Sequence, residues 1–179
     1  LSGHEDRVRH AIAAKLSTAG VSSRSDRLGN LIASFPGEGP AVMLFTHMDQ
    51  LGFIVRKVDP DGGIRVERMG GVPERALASQ AVVLAQHTGA IPGLIANKSH
   101  HATTPDEKYQ VVRAPDLRID AGFNSKAEAE AAGILIGTPV TYQPNVVDLA
   151  NDRVAGTAVD DRAGCAVLLE VARALASRR

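Results

Sequence analysis

The 179-residue chain has little of several residue types, and each shortage excludes a class of protein. Its single cysteine, Cys165, cannot form an intrachain disulfide, which fits a reducing compartment such as the cytoplasm. Aromatic residues make up 3% of the chain and tryptophan is absent, so a surface that stacks nucleic-acid bases is not expected. Twenty basic side chains balance twenty acidic ones, which leaves no net charge to attract nucleic acid or an anionic membrane. No apolar run reaches the roughly 18 residues of a membrane span.

The hydrophobic fraction of 44% and the charged fraction of 22% are ordinary for a globular protein. A chain of this length buries roughly 70% of its unfolded surface, which is enough for a real core. The last predicted helix, from Ala163 to Ser177, is rich in Ala, Leu and Val and needs a partner for its apolar face. Because little sequence remains to supply one, we expect a fragment of a longer protein.

The first 52 residues are typical of an α/β domain. Apolar residues at helical spacing predict a helix from Asp6 to Ser17, which Gly20 is well placed to end. A short strand is predicted at Leu31 to Ala33. The nearly all-apolar run from Ala41 to Phe45 predicts a strand buried on both faces, as in the middle of an α/β sheet.

Residues 53–154 have a β-rich pattern instead, with short strand-like runs between Gly, Pro and Asp turns. The run Asp59-Pro60-Asp61-Gly62-Gly63 predicts a hairpin turn. One helix, from Lys126 to Ala132, is predicted from a capping box of Ser125 and Glu128. Such strands indicate a small barrel or sandwich inserted between 1–52 and 155–179. The predicted strands are Phe53 to Val58, Ile64 to Arg68, Ala81 to Ala85, Ile91 to Ile95, Asp116 to Ile119 and Val140 to Gln143.

His47 and Asp49 follow the apolar run, at the strand end that borders the ligand-binding edge of an open α/β sheet. On an extended backbone, residues i and i+2 point to the same side, so the imidazole and the carboxylate are expected to converge. Such a pair can ligate a metal ion through the histidine while the carboxylate holds the other ring nitrogen. The alternative is a polar strand end with two solvated side chains, and for an isolated pair that is the simpler interpretation.

Asp160 and Asp161 stand where the final helix begins. One carboxylate of such a pair can bridge two cations that lie roughly 3.5–4 Å apart. The alternative is that one aspartate caps the N-terminus of the helix, a position that Asp favours. Taken alone, this motif favours capping.

Five motifs are distributed along almost the whole chain, two of them longer and three shorter. The longer motifs are His-Met-Asp-Gln-Leu-Gly-Phe-Ile-Val at 47–55 and Gly-Thr-Ala-Val-Asp-Asp-Arg-Ala-Gly-Cys-Ala-Val-Leu-Leu-Glu at 156–170. The shorter ones are Ser-Gly-His-Glu at 2–5, Asp-Arg-Leu-Gly-Asn at 26–30 and Ile-Asp-Ala-Gly at 119–122. In these motifs the chain resembles the M42 family of metallopeptidases, which comprises glutamyl, lysyl and tetrahedral aminopeptidases.

The resemblance implies a role for each residue of the two pairs. His47 and Asp160 would be metal ligands, with Asp160 bridging two divalent ions, zinc or cobalt. Asp49 would be the catalytic aspartate that orients His47, and Asp161 would support Asp160 across a peptide bond that is cis in related dinuclear enzymes. The family's general base and remaining ligands follow the Asp-Asp motif and do not map onto this chain. Alone, the chain is therefore expected to be inactive and metal-free.

The resemblance also implies an architecture and partners. The fold would be an incomplete α/β domain of the phosphorylase/hydrolase-like zinc-peptidase type with an inserted barrel-like dimerisation domain. The substrates would be peptides, and the insert would support self-association from a dimer up to a dodecamer. Two other functions stay open: a non-catalytic assembly or regulatory module, and a glucanase-type hydrolase. A histidine paired with a carboxylate favours a metal site over glucanase chemistry.

The remaining histidines carry less information. His100 and His101 are adjacent, and neighbouring side chains on an extended chain point to opposite faces, so a polar loop is expected rather than a ligand pair. His4, His10 and His87 are expected at the surface. Cys165 lies among small and apolar residues of a helix, where it is expected to be a buried hydrophobic side chain.

Overall fold

The computed structural model describes residues 1–86 and 89–178. These residues form two compact units. The first unit comprises Leu1 and residues 51–157, and the second comprises residues 2–50 with 158–178. His87 lies outside the described residues, so its expected place at the surface stays a prediction.

A closed six-stranded antiparallel barrel forms the centre of the first unit. Each of the six strand runs predicted from the sequence coincides with or overlaps one of these strands. The strands are β3 (Gly52–Val58), β4 (Ile64–Met69), β5 (Ala81–Gln86), β6 (Gly89–Ala96), β7 (Arg118–Asp120) and β8 (Pro139–Tyr142). Around the barrel they lie in the order β3-β4-β7-β6-β5-β8.

The barrel closes because alternate residues of its strands are apolar and point inward. On β3 these residues are Phe53 and Val55, and on β5 they are Val82 and Leu84, all of them buried. The Phe53 ring packs edge-on against Tyr142, with 6.0 Å between the ring centroids and 72° between the planes. The buried core continues through Val58, Ile64, Val66, Val72, Leu77, Ile95, Ala114, Leu117, Ile119, Ala129, Ile134 and Val140.

The predicted hairpin turn joins β3 to β4. The Asp59 amide donates to the Gly63 carbonyl at 2.8 Å, and the Gly62 amide donates to the Asp59 carbonyl at 3.0 Å. Gly62 has a φ of +88°, and a Cβ there would collide with the carbonyl oxygen of Phe123. Glycine is therefore required at this position.

The predicted helix of the insert is α2 (Lys126–Ala131). The Ser125 hydroxyl accepts from the Glu128 amide at 3.2 Å, as the capping box predicts. The return bond differs, because the Glu128 carboxylate accepts from the Asn124 amide at 2.9 Å rather than from that of Ser125.

A second hairpin, not predicted from the sequence, joins β9 (Val146–Leu149) to β10 (Arg153–Gly156). Its turn places Asn151 and Asp152 at φ values of 60° and 55°. Asparagine and aspartate tolerate this left-handed region better than most residues, so the turn forms without the glycine by which hairpins are usually recognised.

The second unit packs two helices against a small two-stranded sheet. The helices are α1 (Asp6–Thr18) and α3 (Val159–Ala176), and the antiparallel strands are β1 (Ser23–Ser25) and β2 (Leu31–Ala33). Leu16, Val21 and Ala172 form its buried centre. No helix within 1–86 and 89–178 is long and apolar enough to cross a membrane.

The predicted buried strand at 41–45 is wrong for the structure as described. Residues 41–50 form no strand, and Val42, Met43 and Phe45 are more than 80% exposed. A strand is buried only when neighbouring strands pair with it and other layers cover its faces. Within the described residues, no strand pairs with this segment.

Candidate metal centre

His47 and Asp49 converge as predicted, although their segment forms no strand. Asp49 Oδ1 lies 2.9 Å from His47 Nδ1, so the carboxylate occupies one ring nitrogen. The other carboxylate oxygen, Oδ2, accepts from the Ser2 hydroxyl. The His47 ring is therefore held from one side and remains half exposed on the other.

Asp160 approaches the free side of the His47 ring. Its Oδ1 lies 3.1 Å from His47 Nε2, although 113 residues separate the two in sequence. Asp160 and Asp161 have non-helical backbone angles at the start of α3, and the peptide bond between them is cis, as the resemblance implies. The two predicted motifs thus meet at a single imidazole.

Asp161 has a different environment from its neighbour. One of its carboxylate oxygens accepts from the Gly164 amide at 3.0 Å, which is the contact of a helix N-cap, and the other accepts from the Thr46 hydroxyl. Asp161 therefore caps α3, whereas the Asp160 side chain is 94% exposed and faces His47. The capping alternative therefore applies to Asp161, and the Asp160 carboxylate is left to face His47.

The pKa values follow these contacts. The Ser2 hydroxyl lowers the pKa of Asp49 below its ordinary value, against the opposing effect of burial and with a further contribution from His47. The Thr46 hydroxyl lowers the pKa of Asp161 in the same way, with the Gly164 amide adding to it. For His47, desolvation lowers the pKa, but the hydrogen bonds and charges of Asp49 and Asp160 together outweigh it and raise the pKa.

Several further contacts join the 46–49 segment to the first turns of α3. Besides the bond between Thr46 and Asp161, Arg162 Nε donates to the Met48 carbonyl at 3.0 Å and Cys165 Sγ donates to the His47 carbonyl at 3.3 Å. Cys165 is buried, as expected from its neighbours, but it also contacts the candidate site.

Sequence reasoning missed Ser2, Thr46 and Gly164 as parts of the site. Ser2 and Gly164 stand inside the motifs that carry the family resemblance, which is the one signal that pointed to them. The remaining predicted side chains lie elsewhere: His4 and His10 are exposed, and His100 lies with His101 in a short 3-10 turn of the first unit, where their rings meet edge-on at 5.8 Å.

The donors fit part of a metal site. A histidine whose second ring nitrogen is held by a carboxylate is the usual form of a metal-ligating histidine. Two ligands at about 2.0–2.1 Å from one tetrahedral zinc ion lie about 3.3 Å apart, and His47 Nε2 and Asp160 Oδ1 are 3.1 Å apart. Within 1–86 and 89–178, no group of three or more His, Cys, Asp or Glu side chains is arranged to hold an ion. His47 Nε2 and Asp160 Oδ1 are thus two candidate donors that face each other.

A histidine–carboxylate pair that faces a second carboxylate is typical of metal-dependent hydrolases. The profile of the family described as M42 glutamyl aminopeptidase matches residues 29–179. The chain therefore belongs to the M42 family, which is a family of metallopeptidases.

Two curated relatives illustrate the similarity. SgcX of Escherichia coli (strain K12) is 40% identical over 99% of this chain and 48% of its own length. Lysyl aminopeptidase of Pyrococcus furiosus is 32% identical over 98% of this chain and 51% of its own length. The chain spans about half the length of the curated relatives that it matches.

Solved structures agree in fold. The TET1 peptidase of Pyrococcus horikoshii, described as able to assemble into a tetrahedron or a large octahedral shell, has a TM-score of 0.90 at 28% identity. That match covers 99% of this chain and 53% of the other. A Thermotoga maritima protein named an endoglucanase has a TM-score of 0.76 at 34% identity, over 97% of this chain and 51% of the other.

Proposed function

We propose that this chain is part of a metal-dependent aminopeptidase and supplies two ligands of its dinuclear centre. The observation that carries the proposal is the convergence of His47 Nε2 and Asp160 Oδ1 at 3.1 Å while Asp49 holds the opposite ring nitrogen. A helix cap or a solvated strand end does not require that arrangement.

The residues have distinct roles in this proposal. His47 would hold one ion through Nε2, and Asp160 would bridge both ions. Asp49 keeps the proton of the ring on Nδ1, which leaves the Nε2 lone pair for the metal. Asp161 anchors Asp160 through its own contacts in α3. When bound, divalent ions such as zinc or cobalt supply an acidified water and polarise the carbonyl of a peptide substrate.

The division of the chain into two units and the solved relatives support the architecture of the proposal. Residues 1–52 and 155–179 would belong to the catalytic α/β domain, and residues 53–154 to a dimerisation domain built on the barrel. Self-association into a large hollow particle is supported by the solved TET1 assemblies, which include a dodecamer. Action in the cytoplasm stays a prediction that rests on the single cysteine.

Hydrolysis of aminoacyl-p-nitroanilides tests the proposal on the protein expressed from its full reading frame. We expect activity that a chelator abolishes and that zinc or cobalt restores. His47→Ala should abolish it, whereas His10→Ala, which changes an exposed histidine of α1, should not. Full activity of His47→Ala would refute the ligand assignment.

The same preparation separates the two other candidate functions. The similarity to a protein named an endoglucanase makes β-glucan the substrate to compare. Release of reducing sugar without release of p-nitroaniline would favour the glucanase. Assembly into a large particle without either activity would favour a non-catalytic assembly module.

A further inference from the structure

The two proposed ligands come from segments 113 residues apart, and their separation depends on what joins those segments. Residues 41–50 form no strand, so no sheet hydrogen bonds fix the position of His47 within the described residues. The contacts between side chains of α3 and the 46–49 segment, together with the hydrogen bond from Ser2 to Asp49, therefore position the histidine.

Among these contacts, the bond between Thr46 and Asp161 has a particular place. Thr46 directly precedes His47, and Asp161 directly follows Asp160. The Thr46 hydroxyl donates to Asp161 Oδ2, and its oxygen also lies 3.3 Å from the main-chain oxygen of Asp161. This hydrogen bond thus joins the residue that precedes His47 to the residue that follows Asp160.

Gly164 holds the second oxygen of the Asp161 carboxylate. Its amide donates to Asp161 Oδ1 at 3.0 Å, so both carboxylate oxygens are held. A Cβ at position 164 would lie 2.5 Å from each carboxylate oxygen of Asp161 and 2.5 Å from Thr46 Oγ1. The absence of a side chain at Gly164 is therefore what admits the Asp161 carboxylate against the helix.

We propose that Thr46 and Gly164 are positioning residues that set the distance between His47 and Asp160 by fixing the Asp161 carboxylate. Neither residue is itself a proposed ligand of the ions. The inference deepens the proposed metal centre and rests on it for its functional meaning. The distance between His47 Nε2 and Asp160 Oδ1, however, can be measured in the protein without metal.

Thr46→Val removes the hydroxyl at nearly constant volume, whereas Thr46→Ser keeps the hydroxyl and removes only the methyl group. The test uses the metal-stripped protein from its full reading frame, titrated with Zn²⁺ by calorimetry. Loss of an outer contact of a metal site typically weakens binding by about 10- to 100-fold, and we expect this for Thr46→Val, with Thr46→Ser within about threefold of the original protein. Thr18→Val is the matched control, because the Thr18 hydroxyl bonds to Ala14 within α1.

Crystal structures of the same variants without metal provide a second measurement. In Thr46→Val, His47 Nε2 and Asp160 Oδ1 should separate beyond hydrogen-bond distance, about 3.5 Å, whereas Thr46→Ser should keep them near 3.1 Å. If the original protein binds no zinc but this separation occurs, the proposed function fails and the positioning role stands. An unchanged distance together with unchanged zinc affinity in Thr46→Val overturns the positioning role.

Gly164→Ala tests the inference independently and decides it if Thr46→Val does not fold. Alanine is a better helix former than glycine, so a position without a special role would keep its zinc affinity and gain thermal stability. We expect instead that Gly164→Ala weakens zinc binding by about tenfold or more, because the added Cβ displaces the Asp161 carboxylate. Zinc affinity equal to that of the original protein would contradict the inference.

Discussion

Asp49 offers a graded test of how His47 is held. Asparagine at this position can still accept from His47 Nδ1 through its amide oxygen, and its amide nitrogen can donate to the Ser2 hydroxyl, which is also an acceptor. Asp49→Asn therefore keeps both hydrogen bonds and removes only the charge. Asp49→Ala removes the bonds as well. The two variants separate the contribution of the charge from that of the contact.

The magnitudes follow from the kind of bond that changes. A hydrogen bond to a charged group contributes about 1.5–3 kcal/mol and a neutral one about 0.5–1.5 kcal/mol, so the change of charge corresponds to about 1 kcal/mol. The Asp49 side chain is about a third exposed, and screening by solvent keeps the loss of binding free energy from exceeding about 1 kcal/mol. About 1 kcal/mol weakens zinc binding roughly fivefold. Asp49→Ala should weaken it by about 10- to 100-fold, since the imidazole loses its orienting partner.

Zinc titration of the metal-stripped protein from its full reading frame measures both values. Asp148→Asn, which removes the charge of an exposed carboxylate on β9, should bind zinc like the unchanged protein. The reasoning is refuted if Asp49→Asn binds as tightly as the unchanged protein, or if Asp49→Ala binds no more weakly than Asp49→Asn.

Three further predictions concern stability, measured by thermal unfolding of the 179-residue chain. Gly62→Ala should cost about 1–2 kcal/mol or more, because alanine is strained at positive φ; an unchanged midpoint would contradict this. Ser125→Ala should cost about 1 kcal/mol through loss of the α2 cap, whereas the exposed Ser22→Ala should not. The Lys57 and Arg65 cations lower the pKa of Asp59, against the effect of burial. Asp59→Asn should therefore destabilise by up to about 1 kcal/mol at neutral pH. That difference should diminish below about pH 4 and vanish below the lowered pKa of the folded state; a constant difference would refute the ion-pair origin.

The barrel was predictable because its signals are local. A short strand-like run such as Phe53 to Val58, bounded by turn residues, indicates a strand without reference to distant parts of the chain, and the 59–63 turn contains its own glycines. The run at 41–45 shows the opposite case. Its composition predicts burial, but burial depends on neighbouring strands that the run itself does not contain.

The contacts that hold the candidate site were beyond local signals. Ser2 reaches Asp49 across 47 positions, and Thr46 reaches Asp161 across 115. A serine or a threonine has no pattern that identifies such a distant partner. The sequence motifs therefore indicated which residues belong together, while only the fold shows which atoms meet.

The Asp160-Asp161 pair shows why two interpretations of one motif need not compete. A helix cap places a carboxylate against the first amides of the helix, and Asp161 meets that need at the Gly164 amide. Because the capping carboxylate is fixed from both oxygens, the residue before it is fixed as well, and Asp160 can face His47 without help from a sheet. The cap is thus the support of the proposed ligand. A site built in this way depends on residues that are not themselves proposed ligands, and for that reason the variants at Thr46 and Gly164 test it more sharply than removal of a ligand.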